Sequence, residues 1–140
     1  MNLVVLTGRI GAAPEIRTLN SGDRVANFSV ATEERWKDRQ SGEKKIRTTW
    51  HRIVTYAPGT VKFLEEYVDK GDLLQVVGML RNEEWQDQQG ATRRATKIAV
   101  TGAGHRIEKL ASPRAESEGE PSADGAESGV SADLDDEIPF

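Results

Sequence analysis

From Thr48 to Tyr56 the chain reads Thr-Thr-Trp-His-Arg-Ile-Val-Thr-Tyr, without glycine or proline and dominated by β-branched and aromatic side chains. Such a stretch fits an extended, half-buried strand. Alternate side chains of a strand point to opposite faces. Trp50, Arg52, Val54 and Tyr56 therefore share one face, and His51, Ile53 and Thr55 the other. An arginine between large aromatics sits poorly in a core, and two such aromatics sit poorly on a plain solvent face. The combination suits a ligand both flat and anionic, as a nucleic-acid strand is. On this stretch alone, an amphipathic strand with a buried Trp and a snorkelling Arg remains the alternative.

The surrounding segments are also short and strand-like. Leu3 to Ile10 reads as a first strand, in which Gly8 and Gly11 suggest a bend or the close approach of another backbone. Glu15-Ile16-Arg17 makes a short return strand before the Asn20–Asp23 turn, and Val25 to Thr32 alternates as a second strand. Glu33 to Arg47 is polar and reads as a long hairpin loop holding Trp36. After Ala57-Pro58-Gly59 a helix is expected from Thr60 as N-cap to about Lys70, with Val61, Leu64 and Val68 on one stripe and Gly71 as its terminator. Leu73 to Arg81 and Ala95 to Val100 are further strands, separated at 82–94 by a polar loop or extended hairpin that holds Trp85, and Ile107 extends the sheet. This pattern predicts a mainly all-β, closed or nearly closed small barrel of five strands, with one helix between strands 3 and 4.

The net charge of −4 conceals a division within the 140 residues. Residues 1–110 hold 18 Lys plus Arg against 14 Asp plus Glu, whereas 111–140 hold 9 acids against Arg114 alone. A mildly basic body with an acidic tail is a better footing for a polyanion partner than the average suggests. The tail is rich in Ser, Ala, Gly and Glu and cannot bury enough apolar surface to offset its ordering entropy. Disorder is expected there, with 111–132 as an acidic linker.

The three tryptophans fit one pattern. Trp36 is surrounded by Arg35, Lys37, Arg39, Lys44, Lys45 and Arg47, and Trp85 is followed by Arg93, Arg94 and Lys97. Aromatics interleaved with cations match single-stranded nucleic acid, whose unpaired bases stack while its phosphates seek Lys and Arg. Packing of each Trp onto its own hairpin or onto a subunit neighbour is the competing role.

Several stretches resemble the bacterial-type single-stranded DNA-binding proteins. They are Gly8-Arg9-Ile10-Gly11 with Pro14-Glu15-Ile16-Arg17, then Val25-Ala26-Asn27-Phe28 and Thr49-Trp50-His51-Arg52-Ile53-Val54. Tyr67 to Gly71, Val77-Gly78-Met79-Leu80-Arg81 and Trp85 continue the match, and Asp133-Leu134-Asp135-Asp136-Glu137-Ile138-Pro139-Phe140 resembles the family's partner-docking tip. The resemblance implies an OB-fold over 1–110, usually a homotetramer, that wraps single-stranded DNA in replication, recombination and repair. It implies base stacking on Trp36, Trp50, Tyr56 and Trp85, and backbone contacts from Arg9, Lys37, Arg39, Lys45, Arg52, Lys62 and Arg81. His51 matches a subunit-interface position. Replication and repair proteins such as helicases, nucleases and primosome components would dock on 133–140. Asn2 stands where relatives often carry a base. Glu83 and Glu84 precede Trp85 where a cation is expected, and should repel a nearby phosphate backbone.

Other classes find little footing. There is no cysteine, the two histidines lack ligand-like spacing, and neither a nucleophile–base pair nor a phosphate loop is present. No enzyme, cofactor or metal is implied. A flexible Asp-Leu-Asp-Asp-Glu run cannot hold cation ligands in fixed geometry. No apolar run reaches membrane-spanning length and no leader pattern opens the chain, so a cytoplasmic, nucleoid-associated protein is expected. The alternatives are an OB-fold adaptor of replication restart or an RNA-binding OB-fold, neither of which needs the Ile-Pro-Phe tip or both loop tryptophans.

Overall fold

The chain closes on itself through strands far apart in sequence. In the computed structural model, which describes residues 1–113, strand β1 (Val4–Ile10) pairs antiparallel with β5 (Leu73–Gln86) from Val4↔Gly78 to Arg9↔Leu73. The tip at 133–140 and all the acidic linker beyond Pro113 lie outside the described residues. Asn2 prolongs the β1–β5 ladder with its side chain: Nδ2 donates to the Leu80 carbonyl at 2.9 Å, and Oδ1 accepts from the Leu80 N–H at 2.8 Å. A side-chain amide thus stands in for one more backbone unit. At this position the residue serves the sheet.

The longest ladder joins β3 (Arg24–Lys37) to β4 (Lys44–Thr55), from Ala26↔Thr55 to Lys37↔Lys44. Short β2 (Glu15–Thr18) pairs with β3. β6 (Thr92–Ala99) pairs antiparallel with β5 and runs parallel to β4 at Ile53↔Ile98 and Val54↔Ala99. With β1 also touching β3 at Arg9 and Ile10, the circuit β1–β3–β4–β6–β5 is closed. This is the expected five-stranded barrel, with β7 (Arg106–Ala111) added alongside β5. Gly8 permits the closure, because a Cβ there would collide with the Ala31 carbonyl of β3.

The core follows from alternation. Phe28, Val30, Ile53, Leu74, Val76 and Ile98 point inward, and Val61 and Leu64 of helix α1 (Pro58–Tyr67) join them with Val68. The stripe is as expected, but the helix begins earlier. Pro58 occupies its first turn, where a missing N–H costs nothing, and Ala57 is the cap residue without a side-chain bond. Thr60 is therefore not the N-cap. Gly71 does adopt a positive φ of 89°, though beyond the helix end, where its N–H bonds the Ile10 carbonyl at 3.0 Å. The buried carboxylate of Asp72 accepts from the Asp69 N–H at 2.8 Å and faces Lys109 Nζ at 3.3 Å.

The expected hairpin loop at 33–47 is mostly strand, and 82–94 is an extended hairpin. β3–β4 pairing persists to Lys37↔Lys44 and β5–β6 pairing to Gln86↔Thr92, leaving only turns at 38–43 and 87–91. A two-stranded ribbon standing in solvent has polar residues on both faces, so its composition is that of a loop. Each turn is held by an aspartate. The Ser41 hydroxyl keeps the Asp38 carboxyl below its usual range, and the Arg93 guanidinium does the same for Asp87.

Candidate nucleic-acid interface

Cross-strand partners share a face, so the ladders show which side chains the barrel presents together. Trp50 lies opposite Ala31 and Arg52 opposite Ser29 on β3, while Val54 is in register with Ala99 of β6. Continuing that phase, Lys97 pairs with Arg81 and Arg93 with Trp85. Trp50, Arg52, Lys97, Arg81 and Trp85 therefore belong to one continuous outer face. Val25, Val54 and Ala99 form a small buried cluster beneath it, with Met79 packed against them. This second, outer core supports the face from below.

Two depressions lie along it. One, about 400 Å³, is lined by Trp50, His51, Arg52, Leu80, Arg94, Ala95, Thr96 and Ile98. It opens because β4 and β6 pair at only two residues and then diverge. The other, about 410 Å³, is lined by Glu15, Arg17, Asn27, Phe28, Ser29, Arg52, Ile53 and Lys97. Arg52 lines both and joins them. Among the described residues it has no recorded ion-pair partner, so its charge is open to a phosphate.

Gly11 positions the indole of Trp50. A Cβ on Gly11 would stand 2.6 Å from Trp50 Cζ3 and 2.8 Å from Cη2, so the ring rests where only glycine leaves room. Gly11→Ala is expected to turn the ring away and weaken single-stranded DNA binding, by less than loss of the ring itself. The thermal midpoint should change little, since Gly11 lies just past β1. Unchanged affinity in a fluorescence titration would show that ring placement does not matter.

The other expected stacking residues are exposed but differently aimed. Trp36, Trp50, Tyr56 and Trp85 are 42%, 58%, 42% and 46% accessible, so each keeps ring surface for a partner. Trp36 pairs with Lys45, on the alternate face of the β3–β4 ribbon from Trp50, and the Arg47 guanidinium lies 5.6 Å over its ring. Tyr56 follows the end of β4 and continues the phase of Trp50.

The expected cations divide likewise. Arg52 and Arg81 are on the outer face, while Lys37, Arg39 and Lys45 are exposed around the tip of the β3–β4 ribbon. Lys45 Nζ is 3.9 Å from Asp38. Arg9 donates to the Gly71 carbonyl at 3.0 Å and lines a separate depression with Glu33 and Arg35. Lys62 is exposed on α1 and lines neither depression of the main face. His51 lies half-buried on the inner phase of β4, with Nε2 2.8 Å from Thr32 Oγ1. Arg17 is an addition, and Lys97 and Arg94, expected only as cations following Trp85, line the two depressions. Strand phase separates the last two: Lys97 alternates with the buried Ile98 and so must point outward, whereas Arg94 shares the phase of Ile98 and lies on the alternate face of β6. Glu83 and Glu84 do not stand alone as repelling charges, because they pair across the hairpin with Lys97 at 3.0 Å and Arg94 at 3.3 Å.

A closed five-stranded barrel presenting aromatics and arginines on one outer face defines an oligonucleotide-binding module. Comparison with known proteins makes the assignment specific. The model of the single-strand binding protein family matches residues 1–107. A single-stranded DNA-binding protein of Rhizobium meliloti is 36% identical over 170 residues, covering 100% of this chain and 98% of that protein. One from Rickettsia felis is 36% identical over 148 residues, covering 100% and 97%. A solved Plasmodium falciparum SSB complex with ssDNA superposes with TM-score 0.71 at 38% identity, covering 79% of this chain and 95% of that one. The chain belongs to the single-strand binding protein family, whose members are binding proteins and not enzymes.

Proposed function

We propose that the protein binds single-stranded DNA without regard to sequence and protects it during replication, recombination and repair. The observation that carries this reading is the outer face on which Trp50, Arg52, Lys97 and Trp85 share one phase over a buried support. Stacking accepts any base, and Arg52, without an ion-pair partner among the described residues, adds a salt-sensitive attraction to the backbone. Titration of the intrinsic tryptophan fluorescence tests it. Single-stranded DNA should quench strongly, duplex should not, and affinity should fall as salt rises. Equal binding of duplex and single strands would refute the stacking model, and preference for RNA would favour the RNA-binding alternative.

The working form is a homotetramer, with His51 near an interface. One barrel is a short track for a long strand. Support for assembly comes from β1, whose edge toward β3 is paired only at Arg9 and Ile10, and from the exposed apolar Leu3 and Val5 beside it. Light scattering at micromolar concentration should give four times the chain mass, and a monomer would remove this part of the proposal. Residues 133–140 recruit helicases, nucleases and primosome components, and the protein works in the cytoplasm on nucleoid DNA.

A further inference from the structure

The outer face carries acids among its cations, and their placement is selective. Lys97 Nζ lies 3.0 Å from Glu83 Oε1, with side chains 23% and 31% exposed, the least exposed of the ion pairs along the β5–β6 arm. On the far side of the same depression Arg17 faces Glu15 at 3.8 Å. Arg52, between them, has no such partner among the described residues. A cation already matched to a carboxylate brings little net charge to a phosphate and holds few condensed counterions to exchange. A phosphate reaching Lys97 must displace Glu83 or accept its repulsion.

We propose that Glu83 is a specificity-determining residue: it withholds Lys97 from phosphate, so that this part of the face binds by stacking on Trp50 and Trp85. This rests on the reading that the outer face receives single strands. A single strand loses the Lys97 contact but gains base stacking, worth about 1–3 kcal/mol per base. A duplex offers phosphates without free base faces, so it meets the carboxylate with nothing in return. Glu83 therefore lowers total affinity slightly and raises the preference for single strands. Glu84, paired with Arg94 beside the Trp50 depression, acts in the same sense but in a more exposed setting.

The test is a double-mutant cycle on the full chain: unmodified protein, Glu83→Gln, Lys97→Ala and the pair together. Glu66→Gln on α1 serves as a charge-matched control, and Glu83→Thr as a second variant that keeps strand propensity. Each is titrated with an oligo-dT strand and with a blunt duplex of equal length over a series of salt concentrations, after thermal melts establish folding. Glu83→Gln should steepen the salt dependence for oligo-dT by about 0.7 in log–log slope, the value for one freed cation on a single strand. It should also tighten duplex binding by a larger factor than oligo-dT binding. Lys97→Ala alone leaves Glu83 uncompensated and should weaken binding, whereas the double variant should return to the slope of the unmodified protein, erasing the gain of Glu83→Gln. If Glu83→Gln and Glu83→Thr behave like Glu66→Gln, or if the double variant keeps the full gain of Glu83→Gln, the inference is overturned. Failure of the unmodified protein to bind oligo-dT at low salt would overturn the functional reading as well.

Discussion

Trp50→Ala is expected to lower the affinity for single-stranded DNA by about 1–3 kcal/mol, or roughly 5- to 160-fold, with a matching loss of fluorescence quenching. The size follows from its position. Trp50 is the most exposed of the four aromatics, its ring is seated on Gly11, and it borders a depression lined on the far side by Arg94 and Thr96. Trp36→Ala should cost less on short oligonucleotides, because Trp36 lies on the alternate ribbon face with Arg47 over its ring. The measurement is the titration of each variant with oligo-dT of increasing length. Equal losses at every length would mean that strand phase does not order these contacts. A wild-type affinity for Trp50→Ala would remove this face as the binding surface.

Deletion of residues 133–140 is expected to abolish capture of partner helicases and nucleases while leaving single-stranded DNA binding intact or slightly tighter. Ile138 and Phe140 are large apolar side chains among Asp133, Asp135, Asp136 and Glu137, with Pro139 stiffening the peptide between them. That chemistry fits an apolar pocket rimmed by Lys or Arg. Removing the acids also removes competitors for the cations of the body, an effect largest at low salt. Pull-downs from lysate treated with nuclease separate docking from bridging by DNA. Persistent capture by the truncated protein would reduce the segment to a charged brush.

The strand at 44–55 shows how far local chemistry reaches. Alternation from Trp50 to Thr55 placed Ile53 in the core and Trp50 and Arg52 outside, because a pleated strand leaves no other choice. The helix stripe of Val61, Leu64 and Val68 was legible for the same reason, whereas its start was not, since Pro58 and Thr60 are both acceptable near a helix N-terminus. The ribbon at 33–47 reads as a hairpin loop, and 82–94 as a loop or an extended hairpin, because solvent on both faces removes the apolar alternation that marks a strand. Asn2, noted in the sequence only for standing where relatives often carry a basic residue, is a ladder-extending amide bonded to Leu80, 78 positions away.

Residue types and their period therefore determined, from the sequence alone, a small β-barrel with one helix, a basic body, and aromatics paired with cations. Those properties depend on neighbours within one or two turns or pleats of chain. The relative phase of separate strands is different, because it is set by hydrogen-bond register between segments tens of residues apart. Only pairing between strands brought Lys97 beside Arg52, set Gly11 under Trp50, put Trp36 on the alternate face, and joined Glu83 to Lys97. Composition cannot record such pairings, since a one-residue slip in register would reverse each of them.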